Sequence, residues 1–267
     1  MSSNSDRGRS NGRRRPQRSG RPPTGRSRTG REPSKSARSD RDTSTQTTPP
    51  KRKPWSPEGE LPKWIAEELA RVTPKKNLAA ATDLLQASAR AFAAGKHGKA
   101  LRAAEEAKEL SPRDPTIREL IALSAYRMSR WDQALRELRT FRRLTGDATH
   151  LPVEMDVLRA LDRPSDIESA WKLFKGLRTD RETQDETRVV YGSFLLDRGE
   201  DRRAWEITNP RRMSDDPRES ELRVWYVAAR AAARLGDKKT ARQLLDAIRG
   251  TDPAFPGLGD LERAVET

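Results

Sequence analysis

The chain has 267 residues and a formal net charge of +14, from 54 Lys or Arg against 40 Asp or Glu. It contains no Cys, which excludes a disulfide framework, a thiol nucleophile and a Cys-ligated zinc site. The N-terminus has no apolar leader, and no apolar run is long enough to span a membrane. These features predict a soluble, cytoplasmic protein.

Residues 1–54 form a basic tail. They hold 16 of the Lys and Arg residues but only 4 of the acidic ones, which places +12 of the net charge in the tail. Met1 and Ala37 are the only apolar side chains in it. Such a segment cannot offset its ordering entropy by burial, so it is predicted to be disordered.

From Leu61 onward the sequence is typical of an all-α fold. Apolar residues recur every three or four positions, strong helix formers dominate, and no strand pattern occurs. An Asp-Pro pair favours a helix start because Asp caps the free N–H groups and Pro suits the first turn. Helix starts are therefore predicted at Asp114-Pro115, Asp216-Pro217 and Asp252-Pro253, and a capping box at Ser165 with Glu168.

Five segments place a small residue five positions before an Ala. Successive Ala residues lie 34, 36, 34 and 37 residues apart. A small residue permits a sharp turn after one helix, and the Ala lets the next helix approach closely. The segments are Gly95–Leu101, Ser129–Leu135, Ser165–Trp171, Gly199–Trp205 and Gly236–Arg242. This pattern resembles the tetratricopeptide repeat (TPR) family, whose period is about 34 residues.

The resemblance implies a right-handed α-solenoid of about five helix-turn-helix units over residues 78–253. Residues 55–77 would form a linker and an N-terminal capping helix, Leu61–Arg71. Residues 254–267 would form a C-terminal capping helix, Leu258–Val265. Capping helices are expected because the ends of a solenoid must be covered. The small positions of the first helices would be Ser88, Ala122, Leu158, Gly192 and Ala229.

Two further expectations concern the helices of the units. The second helix of the fourth unit should be short, because Asn209-Pro210 interrupts it. Large aromatic side chains at helical spacing usually pack between helices. This is predicted for Trp131, Trp171, Trp205 and Trp225.

No catalytic motif is found, so the chain is not predicted to be an enzyme, and no cofactor or metal is expected. The only imidazoles are His97 and His150, and both are predicted to be exposed. No metalloprotease, Walker or nucleophile-elbow motif occurs. The carboxylates alternate with Lys and Arg, as on solvated helix faces.

The family resemblance also implies a groove lined by the first helix of each unit, where a partner peptide or helix would bind. Carried over position by position, the groove includes five Arg residues, with two Tyr residues beside them. Because guanidinium groups pair well with carboxylates, the favoured partner is an acidic peptide or helix of another protein. The predicted partner-binding residues are Arg127, Arg159, Arg163, Arg230, Arg234, Tyr126 and Tyr226. A groove Asn, which chaperone-tail receptors of the family use, is not found.

The basic tail supports a different hypothesis. It could contact phosphates of RNA, of the ribosome or of another polyanion, although it has no aromatic residue that could stack on bases. A purely solubilising tail and an anionic membrane surface as ligand are alternatives. The candidate phosphate-contacting residues are Arg7, Arg9, Arg13, Arg14, Arg15, Arg26, Arg28, Lys51, Arg52 and Lys53.

Overall fold

The computed structural model describes residues 61–266, and this part of the chain is all-helical. It contains twelve α-helices and one short 3-10 turn, Lys75–Asn77, and no strand. The helices are α1 Lys63–Val72, α2 Leu78–Ala93, α3 His97–Leu110, α4 Pro115–Arg127, α5 Trp131–Thr145, α6 Leu151–Ala160, α7 Pro164–Lys175, α8 Arg181–Asp197, α9 Asp201–Thr208, α10 Glu219–Arg234, α11 Lys238–Thr251 and α12 Leu258–Glu266. None of them is long and apolar enough to cross a membrane. The all-α prediction is confirmed for these residues, and the predicted tail lies outside them.

Helix α4 begins where its sequence predicts. The Asp114 carboxylate accepts a hydrogen bond from the backbone N–H of Ile117 at 2.8 Å. Pro115 occupies the first helical position, where its missing N–H costs nothing. The local sequence alone is therefore enough to fix this boundary.

Three other predicted helix starts are wrong. Helix α10 begins only after Arg218, whose backbone N–H is satisfied by a side chain of the first turn, so Asp216 is not its cap. Asp252 closes α11 instead of opening a helix. Ser165 lies inside α7, because Pro164, with its fixed φ, starts that helix one residue earlier.

Five of the helix–helix connections have the same backbone structure. In each, one residue has a positive φ of 51° to 80°. The next residue donates its N–H to the carbonyl five residues before it, at 2.8 to 3.0 Å, which is the Schellman ending of a helix. The positive-φ residues are Gly95, Ser129, Asp162, Gly199 and Gly236, which lie 34, 33, 37 and 37 residues apart. One connection is thus repeated along the chain at a nearly constant interval.

The third connection differs from its predicted position. The sequence pattern indicates Ser165, but the turn residue is Asp162, three residues earlier. Asp adopts this left-handed conformation more readily than most residues, because its short polar side chain can hydrogen-bond locally. As a result, Ile167 is the buried residue five positions after the turn, and Met155, not Leu158, takes the small-residue position in α6.

The helices pack mainly against near neighbours in the chain. Consecutive helices contact each other from α2 to α7 and from α8 to α11, and the contacts α2–α4, α6–α8 and α8–α10 join helices two apart. At the two ends, α1 packs on α2, and α12 packs on α10 and α11. The buried side chains fall into two clusters, which share Trp205 and Tyr226 at their margins.

The four Trp side chains pack between helices, as predicted. Trp171 of α7 stacks on Tyr191 of α8, with ring centroids 4.3 Å apart. Trp131 makes an edge contact with the ring of Tyr126 at 5.8 Å. Trp225 is buried, and Trp205 packs against both clusters.

Helix α9 is short, as predicted from the Asn209-Pro210 interruption. It has 8 residues, whereas α3 and α11 have 14 each. It ends at Thr208, whose hydroxyl donates to the carbonyl of Ala204 at 2.7 Å. Pro210 cannot continue a helix, and it also disfavours helical geometry at Asn209.

Candidate partner-binding surface

The C-terminal ends of α4, α6 and α8 are joined by polar contacts between side chains. The Tyr126 hydroxyl of α4 donates to Asp156 of α6 at 2.7 Å. Arg159 of α6 donates to Asp156 at 3.3 Å and to Asp197 of α8 at 2.6 Å. These three helix ends therefore lie at one edge of the molecule.

Helix α10 ends at the same edge. The Arg234 guanidinium donates to the carbonyl of Leu196 of α8 at 2.5 Å and to the carboxylate of Asp201 at 3.3 Å. Arg230 lies one turn earlier on the same face of α10. We call this group of helix ends the arginine edge. Its arginines are Arg127, Arg159, Arg163, Arg230 and Arg234.

The contacts at the arginine edge raise the pKa of two of its residues, Tyr126 and Arg159. Burial and the hydrogen bond to Asp156 raise the pKa of Tyr126 to about 12, so its hydroxyl is a donor at neutral pH. Burial alone would lower the pKa of Arg159, but its bonds to Asp197 and Asp156 outweigh this effect and raise it. Arg159 is therefore a fixed cation whose charge is compensated inside the protein.

Arg163 is also paired inside the protein. It precedes α7 and forms an ion pair with Asp166 in the first turn of that helix. Together with Arg159 it lines a cleft of about 410 Å³ at the α6–α7 turn. The other principal lining residues are Ile167, Phe194, Asp197 and Arg198.

Arg198 is a residue of this cleft that the sequence reasoning missed. Its guanidinium lies over the ring of Phe194, 5.6 Å from the centroid, and donates to Glu200 at 3.2 Å. The one available signal is its place directly before Gly199 of the fourth turn. All three guanidinium groups of the cleft thus have carboxylate partners.

Arg127 and Arg230 differ from the other arginines of the edge. Neither forms an ion pair with a carboxylate of residues 61–266. Arg127 is exposed at the end of α4. The Arg230 guanidinium lies over the ring of Tyr226, 5.9 Å from its centroid, and Tyr226 in turn packs on Phe255 at 5.7 Å. These two guanidinium groups are available to an external carboxylate.

The displaced third connection changes the position of two predicted residues. Counted from the turn at Asp162, the groove positions in α6 are Asp156 and Ala160, and not Arg159 and Arg163. Arg159 instead corresponds to Tyr126, since each lies three residues before its turn. The structure still brings Arg159 to the arginine edge, through its bond to Asp197.

The predicted polyanion-binding residues all lie outside the described part of the chain. They are Arg7, Arg9, Arg13, Arg14, Arg15, Arg26, Arg28, Lys51, Arg52 and Lys53. The structure therefore bears only on the candidate surface of the helical part.

Both His side chains are partly buried, so the prediction that they are exposed is wrong. His150 Nε2 lies 2.6 Å from Glu119 Oε1, and its ring packs on Phe141 at 5.2 Å. His97 packs on Phe92 at the same ring distance of 5.2 Å. Each His lies at the start of a helix and packs on an aromatic ring. Within residues 61–266 no three His, Asp or Glu side chains are grouped so that they could hold a metal ion.

No protein-family model matches the chain, and no curated protein matches it significantly. The function therefore has to be argued from the residues and their geometry.

Proposed function

We propose that residues 78–253 form a right-handed solenoid of five TPR-like units, capped by α1 and α12. The main support is the set of five Schellman turns at intervals of 33 to 37 residues. The contacts between helices two apart in the chain agree with stacked units. α1 and α12 pack on the outermost helices, as capping helices must.

The function that this surface supports best is a non-enzymatic cytoplasmic scaffold that binds an acidic peptide or helix of another protein. The observation that carries the proposal is the pair of guanidinium groups of Arg127 and Arg230, which lack a carboxylate partner within residues 61–266. An acidic segment would supply the missing carboxylates. Tyr226, one turn before Arg230 on the same face, and Tyr126, next to Arg127 in α4, would add contact area.

The paired arginines have a different role in this proposal. Arg159, Arg163 and Arg234 already bind Asp197, Asp166 and Asp201. Arg159 and Arg234 join the ends of different helices, whereas Arg163 pairs within the first turn of α7. An ion pair that must be broken before a ligand binds contributes little to affinity, because the new pair only replaces the old one.

The test is the double substitution Arg127→Glu with Arg230→Glu. Partners captured from a cell lysate by the native protein are identified by mass spectrometry, and binding of the main one is then measured with purified proteins. We expect the variant to lose this partner, because two attractive charges become repulsive. Circular dichroism should show unchanged helix content, since neither residue is buried.

The matched control reverses two exposed arginines of second helices, Arg143→Glu with Arg242→Glu. This variant has the same net charge as the test variant, so long-range attraction alone would weaken both equally. Equal binding by the native protein and the test variant would overturn the assignment of the arginine edge. Equal loss in both variants would also overturn it, because the interaction would then follow net charge only.

A second candidate function follows from the charge distribution. The tail holds +12 of the net charge of +14, so most of the long-range attraction for polyanions comes from residues 1–54. In this alternative the tail binds RNA or the ribosome, and the helical part carries a protein cargo.

A further inference from the structure

The early end of α9 leaves a cleft between three helices. The other second helices, α3, α5, α7 and α11, have 12 to 15 residues, whereas α9 has 8. A cleft of about 310 Å³ lies between the C-terminal half of α7, the N-terminal half of α8 and the end of α9. Its lining includes Trp171, Phe174, Leu177 and Ile207. We call it the α9 cleft.

Arg188 of α8 forms one wall of the α9 cleft and also stabilises the end of α9. Its Nε donates to the carbonyl of Ile207 at 2.8 Å, which satisfies one of the free carbonyls of the last turn. Burial lowers the pKa of Arg188, and the nearby positive charge of Arg211 adds to this effect. The hydrogen bond of Arg188 thus fixes one wall of the cleft against the end of α9. The loop after α9 brings Arg211 close to this wall.

Apolar side chains continue from the cleft onto the surface. Leu173 and Leu177 belong to the same short segment, and their exposed fractions are 39% and 37%. Phe174 between them is buried and stacks on Trp171 at 5.3 Å. Exposed leucines beside an open apolar cleft are typical of a surface that binds another chain.

The surroundings of the cleft are basic. The segment 172–178 has three cations between its apolar residues, and the loop after α9 adds two more. These cations are Lys172, Lys175, Arg178, Arg211 and Arg212. No acidic residue occurs between Lys172 and Arg178, whereas the loop also contains Asp215 and Asp216 after its two arginines. None of the five forms an ion pair within residues 61–266. The one carboxylate that lines the cleft, Glu206, pairs with Arg202 at 3.3 Å.

We infer that the α9 cleft binds an acidic amphipathic segment of a partner protein. An apolar side chain of that segment would enter the cleft between Trp171, Phe174 and Ile207. Asp or Glu residues on either side of it would pair with Lys175, Arg178 and the cations of the loop. The site lies toward the other end of α8 from the arginine edge, so this inference does not depend on the function proposed above.

Two other occupants fit this surface less well than an acidic segment. The chain's own tail has 16 basic and 4 acidic residues, so the cations around the cleft repel it. RNA phosphates would be attracted by the same cations, but the cleft offers no free ring on which bases could stack. The ring of Trp171 is already stacked on Tyr191 and on Phe174, at 4.3 Å and 5.3 Å.

The test uses a phage library of random peptides of about twelve residues, long enough for three helical turns. Peptides are selected on the full-length native protein, sequenced, and synthesised for affinity measurement. We expect the selected peptides to be enriched in Asp and Glu around a Leu, Phe or Trp. For the variant Lys175→Glu with Leu177→Glu, affinity should fall by about tenfold or more, because both the cation and an apolar contact are lost.

The matched control is Arg143→Glu with Leu144→Glu. Leu144 is 43% exposed and occupies the same position relative to its turn as Leu177. The next second helix after α5 is α7, with 12 residues, whereas the next one after α7 is α9, with 8. This variant should bind the peptides as the native protein does. Thermal unfolding of both variants shows whether either has lost its fold.

Any one of four outcomes would overturn the inference. The first is a set of peptides without acidic enrichment, and the second is equal affinity for the native protein and the Lys175→Glu, Leu177→Glu variant. The third is loss of peptide binding in the Arg127→Glu, Arg230→Glu variant instead, which would place the acidic ligand at the arginine edge and leave the proposed function intact. Binding of single-stranded RNA that competes with the peptides would also count against a protein partner.

Discussion

At the residue scale, Gly192 sets the distance between three helices. It lies in α8, and a Cβ at this position would come within 2.6 Å of the Thr208 side chain of α9 and 3.0 Å of the Val227 side chain of α10. Neither neighbour has room to move, since both are buried. The sequence pattern correctly marks this position as one that needs a small residue.

We therefore expect Gly192→Ala to destabilise the protein, although Ala is the better helix former. The added methyl group must displace Thr208 or the backbone, and overpacking of this kind costs about 1–3 kcal/mol. The measurement is urea-induced unfolding followed by circular dichroism. A midpoint equal to that of the native protein would show that α9 can move away from α8.

Gly250 provides the control for this substitution. It lies in α11, and a Cβ there would meet no atom within 4 Å. Gly250→Ala should stabilise the protein by about 0.5–1 kcal/mol, because Ala restricts the unfolded chain more than Gly does. The two Gly→Ala variants should thus change stability in opposite directions.

At the scale of elements, the helix-turn-helix connections are the part of the fold that the sequence predicts best. Gly95, Gly199 and Gly236 mark their turns because Gly accepts a positive φ at no steric cost. Ser129 is found by its spacing from these glycines. The turn at Asp162 is missed, because a nearby Ser and Ala imitate the expected pattern three residues later.

Helix boundaries depend on contacts that the local sequence does not contain. Asp114 caps α4 as expected, but Asp216 is followed by a loop that continues to Arg218. Asp252 directly follows the last residue of α11, Thr251, so it marks the end of that helix and not the start of the next one. An Asp-Pro pair therefore indicates a helix boundary but does not determine which helix it bounds.

The element with the lowest local stability should be the end of α9 and the loop after it. From residue 210 to residue 217, no backbone N–H donates to a backbone carbonyl within the described part of the chain. Amide exchange of residues in such a segment needs little local unfolding. We expect residues 205–217 to exchange fastest within residues 78–253, as measured by hydrogen exchange with mass spectrometry. Uniform protection from α2 to α11 would contradict this expectation.

At the scale of the whole molecule, the composition of the candidate surface could be predicted only in part. Arg127, Arg230 and Arg234 follow from their distance to the turns. Their different contacts do not, because only the packed structure shows that Arg234 reaches Asp201 whereas Arg127 meets no carboxylate of residues 61–266. Pairing depends on distances between helices, and a single sequence does not contain these distances.

The α9 cleft was missed for a related reason. The sequence shows that Asn209-Pro210 shortens a helix, but not which side chains this uncovers. Counted from Ser165, the core positions of the following helix would be Phe174 and Leu177. In the structure Trp171 and Phe174 take the two core positions, and Leu177 is exposed beside the cleft.

The charge split between tail and helical part makes a prediction for the whole chain. Binding of a basic segment to single-stranded nucleic acid releases counterions, so log K falls by about 0.7 per neutralised phosphate for each unit of log salt. If the tail binds RNA and about six of its cations contact phosphates, the slope should be about −4. Binding should not depend on the RNA sequence, because the tail has no aromatic residue before Trp55 that could stack on bases.

A mobility shift at several salt concentrations tests this prediction with the full chain and with a variant that begins at Trp55. The variant should lose the shift, since the part that remains carries only +2 of the net charge of +14. A third protein, with the Lys and Arg residues of the tail replaced by Gln, separates charge from length and should behave like the shortened variant. Equal binding by all three proteins, or none by the full chain at low salt, would exclude the tail as the RNA-binding segment. The acidic-peptide proposals for the helical part would be unaffected, because their binding residues all lie beyond the tail.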